Sequence, residues 1–159
     1  MPNNINQALD IAQSECSRSG MRLTDKRCNV LKILLQEAEP LSAYDIADRY
    51  RVAIGESLSA MSAYRMLDFL LQAGLAHKLE TTNQYVACSH ITCEHEHQVP
   101  QFLICDRCHT VKEVGLRKQL LNELKASIEN TGFTLSSQQL ELHGLCEQCR
   151  HQLDDEQDN

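Results

Sequence analysis

An α+β fold in two successive parts is predicted by three features of this sequence. Apolar residues recur at helical spacing up to about residue 74, and strand-like segments take over after it. One more helical segment is enclosed among those later strands. Two C-x-x-C pairs, "CDRC" at 105–108 and "CEQC" at 146–149, both fall in the second part. At 159 residues the chain has room for two compact domains of about 80 residues each.

In "INQALDIAQSEC", Ile5, Ala8, Leu9, Ala12 and Cys16 share one helical face. "LTDKRCNVLKILLQEAEP" offers Thr24 as N-cap, an apolar face of Val30, Leu31, Leu34 and Leu35, and Pro40 past the end. "LSAYDIADRYRV" opens on Ser42 with Asp45 three residues on, close to a capping box. "SLSAMSAYRMLDFLLQAGL" starts near Ser57 or Ser59, buries Ala63, Leu67, Leu70 and Leu71, and stops at Gly74. "LAHKLE" and "QYVAC" then flank the polar "TTN" as a β-hairpin. Three helices closed by such a hairpin describe a winged helix-turn-helix domain, here residues 1–88. In that reading the helix from about Ser59 to Ala73 enters the DNA major groove.

Residues 89–100, "SHITCEHEHQVP", form a His- and Cys-rich linker region. Within 101–152, "QFLIC" and "TVKEV" are strands joined through Cys105-Asp-Arg-Cys108. Leu116, Leu120, Leu121, Leu124 and Ile128 space an amphipathic helix, and "FTLSSQQLELHG" returns as a strand before the last cysteine pair. The acidic end, 153–159, is expected to be disordered.

The formal net charge of −7 argues at first against nucleic acid, but its distribution softens that. Residues 1–80 balance at −1 and residues 81–159 at −6, so the first half retains room for a local basic face. With no apolar run of about 18 residues, no membrane partner is expected. No basic start followed by an apolar block marks a secretory signal, so eight cysteines point to metal rather than disulfides.

A tetrahedral Zn²⁺ takes four soft or borderline ligands, and two C-x-x-C turns supply them as Cys105, Cys108, Cys146 and Cys149. The 37 residues between the pairs exceed a usual zinc-ribbon interval, and the intervening strand, helix and strand account for them. The competing reading is a thioredoxin-like redox pair, which needs one C-x-x-C at a strand-to-helix junction. Here the first pair reads as a hairpin tip, and neither pair is expected to open a helix. Four thiolates leave no open coordination position, so this centre is structural and no enzyme is expected. His77, Cys88, Cys93, His95, His97 and Glu113 remain as ligands for a second site, which would draw on both halves.

"RLTDKRCNVLKILL", "LSAYDIADRY", "SAYRMLDFLLQAGLAHKLETTNQYVAC", "FLICDRCHTVKEV" and "HGLCEQC" run in one order over roughly residues 20–150. Together they resemble the ferric uptake regulator family, most closely its zinc-sensing branch. The resemblance implies a cytoplasmic homodimer that binds palindromic operator DNA and represses metal-uptake genes when the sensed metal is abundant. It makes the second half an α/β dimerisation domain and allots two Zn²⁺ per chain. The structural ion falls to the four cysteines of the pairs. The regulatory ion falls to His77, Cys88, His97 and Glu113, with His95 as the alternative to His97 because the linker is one residue longer than in close relatives. No small organic substrate is implied.

The family's recognition-helix motif corresponds to "MSAYR", with Ser62 and Ala63 in place of its usual threonine and valine. Tyr64 and Arg65 stand in the usual places. Arg65 is the candidate for reading guanine edges, against a surface ion pair with Asp68, and Tyr64 divides between DNA and core. Arg22, Lys26, Arg27 and Tyr44, near helix starts, are the phosphate-contact candidates for double-stranded DNA. A cysteine at 88 suits zinc, and the iron branch's His-His-Asp-His run is absent. An iron or peroxide sensor of the same superfamily, and more remotely a thiol oxidoreductase, are the competing functions.

Overall fold

The structure, a computed structural model, describes residues 2–93 and 99–157. The chain divides into two compact units, Met1–Glu94 and His95–Asn159. The first unit holds four helices before its hairpin, one more than a minimal winged helix has: α1 (Pro2–Arg18), α2 (Asp25–Gln36), α3 (Ala43–Ile54) and α4 (Ala60–Gln72). The hairpin strands follow as β1 (Ala76–Leu79) and β2 (Gln84–Ala87).

Local chemistry explains each boundary. The Ser42 Oγ accepts from the Asp45 amide while the Asp45 carboxylate accepts from the Ser42 amide, a complete capping box at the start of α3. Those bonds from Ser42 hold the Asp45 carboxyl below its ordinary range. Ser59 caps α4 by accepting from the Ser62 amide at 3.1 Å. Thr24 occupies the N-cap position of α2 in extended conformation, but its side chain makes no cap bond. Gly74 takes φ +69° and lets the chain leave α4 for β1. At the hairpin turn Asn83 takes φ +52°, a conformation asparagine tolerates better than bulkier residues. Leu41 and Tyr85 exchange backbone bonds of 3.0 and 2.8 Å, so the segment before α3 adds a short third rung to the hairpin.

Helical periodicity sets the core of this unit. Ala63, Leu67 and Leu70 of α4 meet Val30, Leu31 and Leu34 of α2 and Ile46 and Tyr50 of α3, all buried. Leu35 and Leu71 are half-buried at its margin, and Ile33 is buried in their stead. Cys16 lies in this core and Cys28 packs against it.

The second unit is built on β3 (Pro100–Cys105), β4 (Val111–Gly115) and β5 (Glu141–Gly144), ordered β4-β3-β5. β3 runs antiparallel to β4 and parallel to β5, with α5 (Lys118–Glu129) between β4 and β5 in sequence. Gln101 is fully buried in β3, and its amide is satisfied on both ends. Its Nε2 donates to the Val99 and Gln138 carbonyls, and its Oε1 accepts from the Leu140 amide. That side chain ties the incoming segment of β5 to β3.

Three expectations need correction. Of "FTLSSQQLELHG" only the last four residues form strand, because the polar run before them is tied down by Gln101 and by local bonds such as Gln139 N–H to Ser137 Oγ. The apolar face of α5 exists, yet no residue of that helix is buried. The acidic end is not disordered from 153: α6 (Glu147–Gln157) continues to Gln157, and residues 158 and 159 lie outside the described residues. A helix nucleated at the last cysteine pair needs only propagation, which is inexpensive per added residue. Among the described residues no helix is long and apolar enough to cross a membrane.

Candidate metal centre

The β3–β4 turn delivers the first two cysteines. Cys105 ends β3, the His109 amide donates to the Cys105 carbonyl, and the Cys105 amide donates to the Thr110 carbonyl. His109 sits at φ +59°, the left-handed step that closes so tight a knuckle. The second pair straddles the start of α6: Cys146 precedes Glu147, and Cys149 lies in the first turn. The expectation that neither pair opens a helix is therefore wrong for the second. β5 pairs in parallel with β3, and the Asp106 amide donates to the Gly144 carbonyl, which brings the two knuckles face to face.

The four Sγ atoms lie within 4.8 Å of one another, and Cys108 and Cys146 are 3.7 Å apart. A tetrahedron with metal–sulfur bonds of ~2.3 Å places its sulfurs ~3.8 Å apart, so the donor set fits Zn²⁺. None of the four is in a disulfide. The Cys146 amide donates to Cys105 Sγ at 3.4 Å, and Thr110 Oγ1 stands 3.3 Å from Cys108 Sγ. Backbone N–H groups of Cys108 and Cys146 pull the Cys105 thiol down to about 6. Burial, then the neighbouring sulfurs, push Cys149 up to about 12. Four sulfurs so close cannot all ionise without a cation, which is the demand a divalent metal meets. With all four positions filled by thiolates, the ion would hold the knuckles together and offer no place to a substrate. Thr110 and the 2.9 Å contact between His143 Nδ1 and Asp106 Oδ1 escaped sequence reading, although Thr110 follows the knuckle closely.

The second ligand set is distributed. His77 lies on β1, opposite Val86, and Cys88 follows β2 with its amide donating to the Leu75 carbonyl. The hairpin brings their ligand atoms within 4.8 Å, with Cys88 buried and His77 half-buried. Glu113 is half-buried on β4 of the second unit, opposite Phe102. His95 and His97 lie outside the described residues.

Of the DNA candidates, Arg65 is exposed on α4 and forms no ion pair with Asp68 among the described residues. Ser62 is half-buried, its Oγ accepting from Ser59 Oγ at 2.9 Å. Tyr64 packs half-buried against the core. Tyr44 is 65% exposed in the first turn of α3. Arg22 and Lys26 are exposed beside the start of α2. Arg27 is half-buried: its Nη1 donates to the Arg22 carbonyl at 2.7 Å, and its guanidinium lies 3.8 Å over the ring of Phe69.

A helical unit closed by a two-stranded wing, joined to a unit knotted by four thiolates, defines a class of DNA-binding regulator that carries a metal. The sequence matches the ferric uptake regulator family over residues 18–143, and the chain belongs to that family. It is 38% identical over 151 residues to the zinc uptake regulation protein of Escherichia coli (strain K12), a match spanning 89% of this chain and 85% of that one. Among solved structures it is similar to a zinc uptake regulator complexed with zinc and DNA, at 32% identity and a TM-score of 0.80. That match covers 94% of this chain and 97% of the other. Holo XcZur gives 39% identity and a TM-score of 0.75 over 92% and 99% of the two chains. The α+β class, with the DNA-binding domain first, is that of these structures.

Proposed function

We propose that this protein is a zinc-responsive transcriptional repressor of the cytoplasm. As a zinc-loaded homodimer it binds palindromic operator DNA and represses zinc-uptake genes. The observation that carries this reading is the His77–Cys88 pair on the wing: a borderline imidazole and a soft thiolate within 4.8 Å of each other, in a chain so similar to zinc uptake regulators. His77, Cys88, His97 and Glu113 hold the regulatory ion, with His95 as the alternative to His97. The four-cysteine centre holds the structural one, making two Zn²⁺ per chain. A bound Zn²⁺ supplies a point to which imidazole, thiolate and carboxylate converge, and a buried thiolate among them favours zinc over iron.

The chain does the rest. His77 and Cys88 ride on the wing and Glu113 on the sheet of the second unit, so sharing an ion restricts both to one arrangement. If operator binding needs that arrangement, the two binding events are coupled, and about 3 kcal/mol of coupling corresponds to more than a hundredfold in DNA affinity. Arg65, Tyr64 and Ser62 address the bases, and Arg22, Lys26 and Tyr44 the phosphates. The dimer is supported by apolar side chains of the second unit that stay substantially exposed among the described residues: Leu103, Leu120, Leu124, Phe133, Leu142 and Leu145. A centre saturated by four thiolates supports a regulator rather than an enzyme, and no small organic substrate is required.

Zinc titration of operator binding by fluorescence anisotropy tests the reading. Wild-type protein should gain at least tenfold in affinity on zinc addition, and Cys88→Ser should lose that gain while keeping one zinc per chain. Zinc-independent binding by the wild type, or an unchanged response in Cys88→Ser, would overturn it.

A further inference from the structure

Arg27 stands among basic residues at the start of α2, where a phosphate contact is the obvious use for it. The geometry assigns it another. Its guanidinium lies 3.8 Å over the face of Phe69, and its Nη1 donates to the Arg22 carbonyl at 2.7 Å. One planar group thus touches α4 through a ring and the segment before α2 through a backbone oxygen. Phe69 lies four residues after Arg65, so the two side chains leave the same side of α4, a single turn apart. Arg22, whose carbonyl is held, carries an exposed side chain. Arg27 therefore connects the backbone of a phosphate-contact candidate to the helix of the base-reading candidate.

We infer that Arg27 is a positioning residue that sets the register between Arg22 and the recognition helix α4, and through it the discrimination between operator and unrelated DNA. The inference rests on the regulator reading above and deepens it. A guanidinium suits this task because it is flat enough to stack and still keeps N–H groups in its plane for a carbonyl. A lysine retains the charge but cannot do both, since its ammonium is a compact point charge on a flexible stem. Sequence-independent binding, set by phosphates and salt, depends little on that register. Binding that needs Arg65 at a base edge and Arg22 on the backbone at once depends on it directly.

The test uses full-length, zinc-loaded protein and two duplexes of equal length. One is selected by the wild-type protein from a random-sequence pool, and the other is an unselected sequence. Arg27→Gln is expected to lower the ratio of selected to unselected affinity on the order of tenfold. Affinity for the unselected duplex should stay within about twofold. Arg27→Lys should fail to restore the ratio, and Phe69→Leu should reproduce the loss. The double variant should lose no more than either single one, because both remove the same contact. Phe69→Leu also carries the test should Arg27→Gln fold poorly, with circular dichroism reporting that each variant is folded at the assay temperature.

A direct phosphate contact would show differently: Arg27→Lys would rescue, and Arg27→Gln would weaken both duplexes together and reduce the salt slope by about one. That result overturns the inference, as would a lower melting temperature with the ratio unchanged. Failure of the wild type to enrich any sequence would instead remove the regulator reading, and this inference with it.

Discussion

The two units reach stability by different routes. The first buries a continuous apolar core from α1 to β2, with Val30, Leu31, Ile46, Leu67 and Leu70 at or near zero exposure. In the second, the buried residues among those described are Phe102, Ile104, Cys105, Cys149 and the polar Gln101, and α5 contributes none. A domain of some 60 residues with so few buried side chains falls in the size range where metals or partner chains commonly supplement the core. The four-cysteine knot and the uncovered leucines are those two supplements. A regulator can use such a division: a self-sufficient reading head, and behind it a unit whose order depends on metal and partner.

The largest effect that would break this comparison comes from the knot. Structural zinc contributes on the order of 10 kcal/mol to small metal-dependent folds. Chelation, or Cys105→Ser, should therefore abolish amide protection in β3, β4 and β5 while α2, α3 and α4 stay protected, as read by hydrogen exchange. Uniform loss across both units would mean that they unfold as one. Acid should mimic chelation below about pH 6, since protons compete for thiolates.

Next come core truncations. Leu67→Ala should cost about 2–5 kcal/mol in denaturant unfolding of the first unit, because Leu67 is fully buried. Leu124→Ala, at a site 37% exposed, should cost a chain on its own under about 1 kcal/mol. Its effect should appear in sedimentation, as a dimer dissociating at concentrations where the wild type does not. Equal unfolding costs at the two sites would erase the contrast.

The smallest effect sharpens it from the first unit alone. Asp45→Ala removes one arm of the α3 capping box and should cost about 1 kcal/mol at pH 7. Hydrogen bonds from Ser42 hold this carboxyl below its unfolded value of 3.8. The contribution is thus complete above about that value and fades as pH falls through the lower folded value. Denaturation curves for wild type and variant should converge in that acidic window.

How much of this was legible beforehand varies with the range of the interaction. The capping box at Ser42 and Asp45, the helix end at Gly74 and the hairpin are local, and the sequence signals for them hold. The C-x-x-C pairs were legible because the chemistry of the ligands carries its own spacing. The length of β5 was not, because the buried Gln101 amide 39 residues away in sequence claims the Leu140 N–H. Nor was Arg27 readable as anything but a surface base: Phe69, which occupies its guanidinium, is distant in sequence and invisible to periodicity.

By itself the sequence determined the order of helices and strands as far as β5, the four-thiolate donor set and the family, since each is written in neighbouring residues and their repeats. Only the tertiary structure decided that two knuckles meet at tetrahedral spacing, that an arginine faces a ring rather than solvent, and that α5 is left bare. These depend on where the chain returns to itself. Residue patterns encode which face seeks burial, whereas the partner that face meets is settled by packing across the whole domain.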